Sequence, residues 1–314
     1  MSARGRPTPT LTVAVVVKDR KDWMARCLDA IDAQLGADFD IVVVDNGSQD
    51  GTHEMLLDRR GRTNHQLTVA QEQGTLGHIR NVALGIATGD VVAFTDSDCV
   101  PRPGWLAAGV EAFAGDVVAV QGMTVPMREP EPWEATIQIE AFNNCYETCN
   151  LFYDRKALLD VGGFGETMPQ LGEDMVAGWR LQRTTGTAVW AGDAVVEHEV
   201  TFPGLLWWVR RGLRYRCWPQ LVREFPDVRR KVFFARYFLN ARHVLILTAI
   251  AGIVASAALL NPLPLIAVLP LLWRWRPRSI SRYGLRNSGY GLAFDLAAFV
   301  GVVRGSLTNG RLVL

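Results

Sequence analysis

A pair of aspartates separated by one residue follows a short apolar run at 91–94. In an extended chain, residues i and i+2 lie on the same face, so Asp96 and Asp98 would present both carboxylates together. Neighbouring carboxylates repel each other unless a cation or a hydrogen-bonded hydroxyl lies between them. Magnesium commonly takes one or two protein carboxylates and fills its other positions with water and substrate phosphates. The pair therefore indicates either a divalent-cation site or a solvated Asp-Ser-Asp turn in which Asp98 caps the next helix.

Strand and helix patterns that alternate along the chain would position these carboxylates. Apolar, mostly β-branched runs predict strands at 11–17, 41–44, 67–72, 91–94 and 117–121. Apolar residues at helical spacing between the runs, such as those in 77–87, predict the intervening helices. Strands that alternate with helices form βαβ units, so the sequence predicts an α/β fold with a mainly parallel sheet. Ligands bind such a sheet at the carboxyl ends of its strands, which is where Asp45, Asp96 and Asp98 are expected.

Two further residues suggest contacts with a nucleotide. Asp45, at the end of the second predicted strand, fits recognition of a ribose or a base, and it also fits a simple Asp-Asn-Gly turn. Arg80, early in a predicted helix, could reach a pyrophosphate or could be a solvated helix charge. Neither a Gly-x-Gly-x-x-Gly fingerprint nor a Gly-Lys-Ser/Thr motif follows the early strands, which argues against a dinucleotide cofactor and a P-loop. A phosphate site would therefore rely on a metal and on side chains.

Charge divides the 314-residue chain into an acidic front part and a basic back part. Residues 1–202 carry 16 Lys and Arg against 29 Asp and Glu, a net charge of −13. Residues 203–314 carry 17 Lys and Arg against three acids, a net charge of +14. The basic part merges into uncharged apolar runs, which favours anionic lipid headgroups over nucleic acid as its partner. Five cysteines without metal-ligand spacing indicate reduced thiols in the cytosol, and the polar first ten residues lack a signal-peptide pattern.

The basic part has the composition of membrane-associated helices. Residues 203–242 interleave tryptophans with arginines, which is typical of amphipathic helices lying in a headgroup layer. Residues 244–260 are uncharged, and a second apolar run that ends at Trp273 follows Asn261–Pro264. Each run is shorter than the about 20 residues of a spanning helix. Basic residues flank the pair, so we expect either a hairpin with both ends cytosolic or a buried or re-entrant pair. Residues 290–303 predict another helix lying at the surface.

Four motifs, taken in order, resemble those of the family-2 glycosyltransferases. They are Val13–Val17, Val-Val-Asp-Asn-Gly-Ser-Gln-Asp-Gly-Thr at 43–52, Arg-Asn-Val-Ala at 80–83 and Asp-Ser-Asp at 96–98. The resemblance covers roughly residues 10–200 and implies the GT-A fold, a Rossmann-like, mixed, mainly parallel sheet with flanking helices. It also implies an inverting enzyme of the membrane-associated bacterial type. The implied regions are a tail at 1–10, a catalytic domain at 11–202, interfacial helices at 203–242 and an apolar membrane region at 243–314.

The resemblance implies a donor site at the ends of the first strands. Its residues are Val17, Asp19, Asp45, Arg80 and Asp96, with Asp98 as a ligand of Mg²⁺ or Mn²⁺. Asp19 and Asp45 would contact the nucleoside, and Asp96 would face the ribose or the sugar. His198, between two glutamates, would complete the metal or pyrophosphate site or else be a surface strand position. The first strand ends in Lys18–Arg20 rather than the family's more usual Pro-x-Tyr-Asn type, which leaves the base open.

An acceptor site is implied by the second half of the same region. Residues 151–164 resemble the family's strand, helix and Gly-Gly-Phe turn beneath the acceptor, which places Gly163, Phe164 and Glu173 at this site. Asp174, at the start of a predicted helix, would be the general base. The alternative is an ordinary acidic helix start, where the helix dipole favours a carboxylate by ~0.3–1 kcal/mol.

The expected function is transfer of one sugar from a nucleotide diphosphate sugar to a hydroxyl of a lipid-linked or saccharide acceptor. No Gln-x-x-Arg-Trp block, which the processive members carry, follows the predicted catalytic domain, so a single transfer is favoured. The expected setting is cell-envelope polysaccharide or glycolipid synthesis, with the catalytic domain on the cytoplasmic side of the cell membrane. A nucleotidyltransferase acting on sugar phosphates and a non-catalytic, membrane-anchored nucleotide-sugar binder remain as alternatives.

Overall fold

The protein is described by a computed structural model, which covers residues 9–36, 38–168, 171–184, 186–277, 279 and 281–314. The chain divides into two compact units. The first comprises Met1–Glu129 with Thr136–Val200, and the second comprises Pro130–Ala135 with Thr201–Leu314. Most of the predicted tail at 1–10 lies outside the described residues.

The first unit alternates strands and helices, as its sequence pattern predicts. Along the described residues these are β1 (Leu11–Val17), α1 (Lys21–Asp32), β2 (Phe39–Asp45), α2 (Thr52–Arg59), β3 (Leu67–Gln71), α3 (Leu76–Ile86), β4 (Val91–Asp96), β5 (Cys99–Pro101), α4 (Trp105–Glu111), β6 (Val117–Pro126), β7 (Asn150–Asp154), α5 (Arg155–Asp160), α6 (Glu173–Leu181) and β8 (Thr187–His198). The eight strands form one sheet in the order β3-β2-β1-β4-β7-β6-β8-β5. Strands β1 to β4 pair in parallel, whereas β7 is antiparallel to both β4 and β6. The predicted α/β class with a mixed, mainly parallel sheet is confirmed.

The parallel register brings the ends of the first strands to one edge of the sheet. Val17 lies opposite Asp45, and Val16 lies opposite Asp96. Every residue of β1 is buried, because helices cover both faces of a parallel sheet and its strands therefore need continuous apolar runs. The polar residues that follow these runs accordingly gather at the same edge.

The second unit is helical over its described residues. Its α-helices are α7 (Leu205–Leu213), α8 (Cys217–Glu224), α9 (Val228–Lys231), α10 (Ala241–Leu259), α11 (Leu269–Arg274) and α12 (Arg282–Asn309). Two of them, α10 and α12, are long and apolar enough to cross a membrane. Length and composition are weak support for spanning, since core helices of soluble proteins can share both properties.

The predicted apolar hairpin differs from the structure in its second arm. Residues 263–268 form a 3₁₀ turn that leads into the six-residue helix α11. Pro264 and Pro270 lack the backbone N–H that a continuous helix needs, which accounts for two short pieces in place of one long arm. The residues predicted as a short surface helix at 290–303 instead lie inside the 28-residue helix α12.

Candidate active site

Asp98 and His198 face each other at the carboxyl end of the sheet. Strands β5 and β8 pair with Cys99 opposite His198, and the Glu199 N–H donates to the Asp98 carbonyl. The Asp98 carboxylate oxygen Oδ1 and the His198 ring nitrogen Nε2 are 3.7 Å apart. The opposite ring nitrogen, Nδ1, lies 2.8 Å from the Glu199 carbonyl oxygen, which can only accept. In the neutral ring the proton therefore sits on Nδ1, and the Nε2 lone pair points toward Asp98.

These two groups have the chemistry of cation ligands. A carboxylate oxygen and an imidazole lone pair that face each other have no proton to share, and a divalent cation between them satisfies both. The Cys99 sulfur lies within 4.8 Å of both ligand atoms. Burial raises the pKa of the Cys99 thiol well above its ordinary value, so the thiol stays neutral and is a poor ligand for a hard ion. The donor set thus fits a divalent ion bound by Asp98 and His198.

Arg20 joins the end of β1 to this candidate cation site. Its Nη1 donates to the Glu199 carboxylate at 2.7 Å, and its Nη2 lies 3.8 Å from the second carboxylate oxygen of Asp98. The sequence marks Lys18–Arg20 as a departure from the family pattern but gives no sign of this pairing, which depends on residues 179 positions apart.

A cleft of about 190 Å³ opens beside Asp98. Its walls are formed by Val16, Val17, Lys18, Arg20, Asn46, Leu76, Arg80, Asp96, Ser97 and Asp98. Four of the predicted donor-site residues, namely Val17, Arg80, Asp96 and Asp98, are therefore brought together around one space.

Arg80 is a buried link between β4 and α6. It is 5% exposed, and its guanidinium donates to Glu173 and, at 3.2 Å, to the Asp96 carboxylate. Burial alone would lower the pKa of Arg80, but the charges of Glu173 and Asp96 raise it, so the guanidinium stays charged. Burial raises the pKa of Asp96, and Arg80 opposes that shift. The alternative of a solvated helix charge is wrong for Arg80.

Asp45 and Asp19 lie at the same edge of the sheet outside the lining of the cleft. The Asp45 carboxylate is fully buried and accepts hydrogen bonds from the Ser48 N–H, the Ser48 hydroxyl and Gln71. Asp19 is exposed, and its carboxylate accepts a hydrogen bond from the Gln49 N–H at 2.7 Å. Both carboxylates hold the turn after β2, as the turn alternative for Asp45 predicts. Contact of either residue with a nucleoside stays a prediction.

Asp174 lies in the first turn of α6, where the sequence places it. Its carboxylate accepts a hydrogen bond from the Met175 N–H at 2.8 Å. Burial raises the pKa of Asp174 well above its ordinary value, the neighbouring Glu173 charge raises it further, and Arg80 opposes both effects. A carboxyl group with a raised pKa is suited to accept a proton near neutral pH.

The Gly-Gly-Phe turn contacts both α3 and the start of α6. Asn81 of α3 accepts from the Phe164 N–H at 2.8 Å and donates to the Phe164 carbonyl at 3.1 Å. Gly163 has a φ of +62°, and a Cβ there would lie 2.3 Å from the Asn81 side-chain oxygen. The Phe164 ring is buried against Phe94. The pair Gly163 and Phe164 therefore forms a fixed turn next to the start of α6, since the Gly165 N–H donates to the Glu173 carbonyl.

Comparison with known proteins identifies the class of this domain. Residues 12–165 match the sequence profile of Glycosyl transferase family 2. Glycosyltransferase AglE of Haloferax volcanii is 29% identical over 170 residues, which are 50% of this chain and 56% of that protein. The glucosyl-dolichyl phosphate glucuronosyltransferase of the same organism is 24% identical over 188 residues, 53% of this chain and 60% of that protein. The chain thus spans less than two thirds of the length of either relative.

A solved structure shares the fold over most of the chain. The mannosyltransferase PcManGT from Pyrobaculum calidifontis, in complex with GDP-Man and Mn²⁺, aligns with a TM-score of 0.60 and 20% identity. The alignment covers 96% of this chain and 87% of that one. The first unit therefore has the GT-A fold, and the match of residues 12–165 to the family-2 profile confirms the resemblance that the motifs predict.

Proposed function

We propose that this protein is a metal-dependent, inverting glycosyltransferase that moves a single sugar from a nucleotide diphosphate sugar to a hydroxyl acceptor. The observation that carries the proposal is the facing pair of Asp98 and His198, 3.7 Å apart beside the cleft. Arg80 ties this donor side to the start of the helix that carries Asp174. A candidate cation site, a cleft of about 190 Å³ and a candidate base thus lie within one unit.

The donor diphosphate is proposed to occupy the cleft. Lys18 and Arg20 line it and supply positive charge for phosphate oxygens. When bound, a divalent ion at Asp98 and His198 would supply Lewis-acid stabilisation of the departing phosphate oxygen. The cleft is smaller than the roughly 300–1,000 Å³ of typical ligand sites. The nucleoside is therefore proposed to extend from it toward Val17, Asp19 and Asp45, and the ribose or sugar toward Asp96.

Asp174 is proposed to be the general base. It would take the proton of the acceptor hydroxyl as that oxygen bonds to C1 of the donor sugar and the bond from C1 to the diphosphate breaks. A single displacement of this kind inverts the anomeric carbon, and it needs no covalent intermediate on the protein. The turn of Gly163 and Phe164, with Glu173, would bound the acceptor side.

The acceptor is proposed to be a saccharide or a lipid-linked saccharide at a membrane. The basic second unit, with apolar helices α10 and α12, supports binding to membrane lipids through residues 203–314. The Haloferax relative is a glucosyl-dolichyl phosphate glucuronosyltransferase by name, which supports a lipid-linked acceptor. A role in cell-envelope polysaccharide or glycolipid synthesis, with the catalytic unit in the cytoplasm, follows as part of this proposal.

A panel of nucleotide sugars with Mn²⁺ tests the proposal. We expect one donor to raise the melting temperature and then to release its nucleoside diphosphate, with transfer of the labelled sugar to a membrane extract. A nucleotidyltransferase would instead consume or form pyrophosphate with a sugar phosphate. Binding without any product would indicate a non-catalytic nucleotide-sugar binder. Either result would contradict the proposal.

A further inference from the structure

Three buried polar atoms near Asp174 have no hydrogen-bond partner among the described residues. They are one carboxylate oxygen of Glu147, one carboxylate oxygen of Glu173 and the hydroxyl oxygen of Tyr153. Tyr153 is fully buried and Glu173 is 6% exposed. Buried polar groups normally have a partner in the protein, in ordered water or in a ligand. A cluster of three such atoms beside a candidate base therefore points to a ligand.

Ring and ion-pair contacts place Tyr153 and Glu173 in one region: the Tyr153 ring lies 6.0 Å from the Phe164 ring, and the Arg80 guanidinium that pairs with Glu173 lies 6.0 Å from the same Phe164 ring. Burial raises the pKa of Tyr153, and the charges of Asp174 and Glu147 raise it further. Burial likewise raises the pKa of Asp174, with Glu173 and Glu147 adding to the effect. Tyr153 lies on β7, Asp174 on α6 and Glu147 in the segment before β7, so the cluster draws on three separate parts of the first unit.

Contacts with α6 fix the segment that carries Glu147. The Trp179 indole N–H donates to the Asn144 carbonyl at 3.1 Å, and Gln182 donates to the Asn144 side chain at 3.2 Å. The ring of Tyr146 packs against Gly178, where an added Cβ would lie 2.1 Å from the ring. The helix that presents Asp174 therefore also holds residues 144–146, and the adjacent Glu147 has a defined position relative to Asp174.

Glu147 is itself anchored in a way that leaves one oxygen available. Its Oε1 accepts a hydrogen bond from the Asn143 side-chain amide at 2.9 Å. Its backbone carbonyl accepts from the Gln121 amide at 3.3 Å. The remaining oxygen, Oε2, is buried and has no partner within the described chain.

The chemistry of the cluster selects its ligand. Among the described residues, the one set of three candidate ligand atoms close enough to share a metal ion is at Asp98, Cys99 and His198, so the carboxylates of this cluster do not form a second set of that kind. A phosphate would be repelled by the negative charges of Asp174, Glu147 and Glu173. Arg80 does not offset this repulsion, because its guanidinium already pairs with Glu173 and Asp96. Neutral hydroxyl groups suit the cluster, because each can donate to a carboxylate oxygen and accept from a phenol.

We propose that Glu147 and Tyr153 form an acceptor subsite for a second hydroxyl, next to the one that Asp174 deprotonates. The acceptor group that enters the site is then an uncharged sugar residue with neighbouring hydroxyls, and a simple alcohol or a phosphate does not fit. This inference rests on the proposed transfer from a nucleotide sugar. Glu147 is a binding residue in this scheme, and the proton of the reacting hydroxyl still passes to Asp174.

The test compares octyl glycosides with octanol as acceptors for the full-length protein. Release of nucleoside diphosphate is measured with the donor found in the panel and Mn²⁺, first in water alone and then with octyl glucoside, octyl mannoside, octyl galactoside or octanol. We expect at least one glycoside to stimulate release and octanol to have no effect. Glu147→Gln should raise the KM for that glycoside about tenfold, since hydrogen bonds to charged groups are strong. Tyr153→Phe, which keeps the buried ring, should raise it less.

The control is Glu140→Gln, an exposed glutamate in the same segment, which should leave the KM unchanged. A wild-type KM in Glu147→Gln, with its melting temperature also unchanged, would overturn the inference. Octanol that stimulates release as strongly as the glycosides do would also overturn the inference. So would a lack of stimulation by all four compounds while donor hydrolysis persists. Absence of donor binding and of any release by the wild type would instead contradict the proposed function, and the inference would fall with it.

Discussion

At the scale of single residues, the candidate site is defined by Asp98 and His198, whose carboxylate and imidazole ring face each other. Asp98 and His198 meet because β5 and β8 pair, and the hydrogen bond from His198 to the Glu199 carbonyl fixes which ring nitrogen is free. Asp174 is separated from them along the chain and reaches the region through α6. The two proposed roles, cation binding and proton transfer, therefore fall on different residues and can be tested separately.

The substitution Asp174→Asn tests the role of the base. An amide of the same shape cannot take the proton, so we expect sugar transfer to fall by roughly 10²–10⁴-fold. Donor affinity should persist, because Asp174 does not line the cleft. Transfer rates and donor affinity, the latter by calorimetry, are the measurements. Near-normal turnover in this variant would remove Asp174 as the base.

The pH dependence of transfer tests the environment of the same carboxyl group. Burial raises the pKa of Asp174, and a base must be deprotonated to act, so kcat/KM should fall as the pH drops through this raised pKa. The acid limb should therefore lie well above the about pH 3.9 of an ordinary aspartate. Full activity down to about pH 4 would contradict this assignment.

At the scale of elements, Arg80 connects the proposed donor and acceptor sides of the first unit. It extends from α3 to Asp96 at the end of β4 and to Glu173 at the start of α6. The hydrogen bonds between Asn81 and Phe164, one residue along α3, hold the neighbouring turn. Together they set the position of α6, and thus of Asp174, relative to the sheet.

Replacing Arg80 by Met should destabilise the protein strongly. Two acidic groups would lose their buried cationic partner, a change that typically costs about 3–5 kcal/mol. The matched control is Arg62→Met, which removes an exposed pair with Asp58 and should cost at most about 1 kcal/mol. Denaturant unfolding of both variants is the measurement. Equal losses in the two would show that Arg80 does not hold the elements together.

The sequence predicts the parallel strands well because long apolar, β-branched runs leave few alternatives to burial on both faces. It also places Asp96 and Asp98 at a strand end. It does not reveal that Arg80 is buried, since that depends on Glu173, 93 positions away. The sequence does not mark Glu147 as a site residue either, because the segment before β7 has no hydrophobic periodicity and its conformation depends on contacts with α6. The second arm after α10 differs from the sequence expectation because Pro264 and Pro270 interrupt a run whose apolar character alone favours one helix.

At the scale of the whole molecule, the two units differ in charge and in the surface they expose. The second unit carries large exposed apolar side chains, among them Val254, Leu260, Leu263 and Trp273. Several arginines lie over aromatic rings of the same unit, such as Arg276 over Trp273 and Arg211 over Trp207. Apolar groups beside cationic and aromatic groups are typical of surfaces that enter the interfacial layer of a membrane.

Flotation of the full chain with vesicles tests this membrane assignment. We expect the protein to float with phosphatidylcholine vesicles and more completely when phosphatidylglycerol is included, because residues 203–314 carry a net charge of +14. Salt of about 1 M screens charge, so it should remove the added effect of the anionic lipid and leave the apolar attachment. Protein that stays in the soluble fraction under all conditions would contradict the assignment.

The most direct measurement of the central claim is calorimetric titration with UDP and GDP, in the presence of Mn²⁺ and in the presence of EDTA. We expect the wild type to bind one of these nucleotides with Mn²⁺ and to lose that binding with EDTA, because Asp98 and His198 are proposed to hold the ion that meets the diphosphate. Asp98→Ala should behave as the wild type does in EDTA. Equal affinity of the wild type with and without the metal, or unchanged metal-dependent binding in Asp98→Ala, would contradict the account.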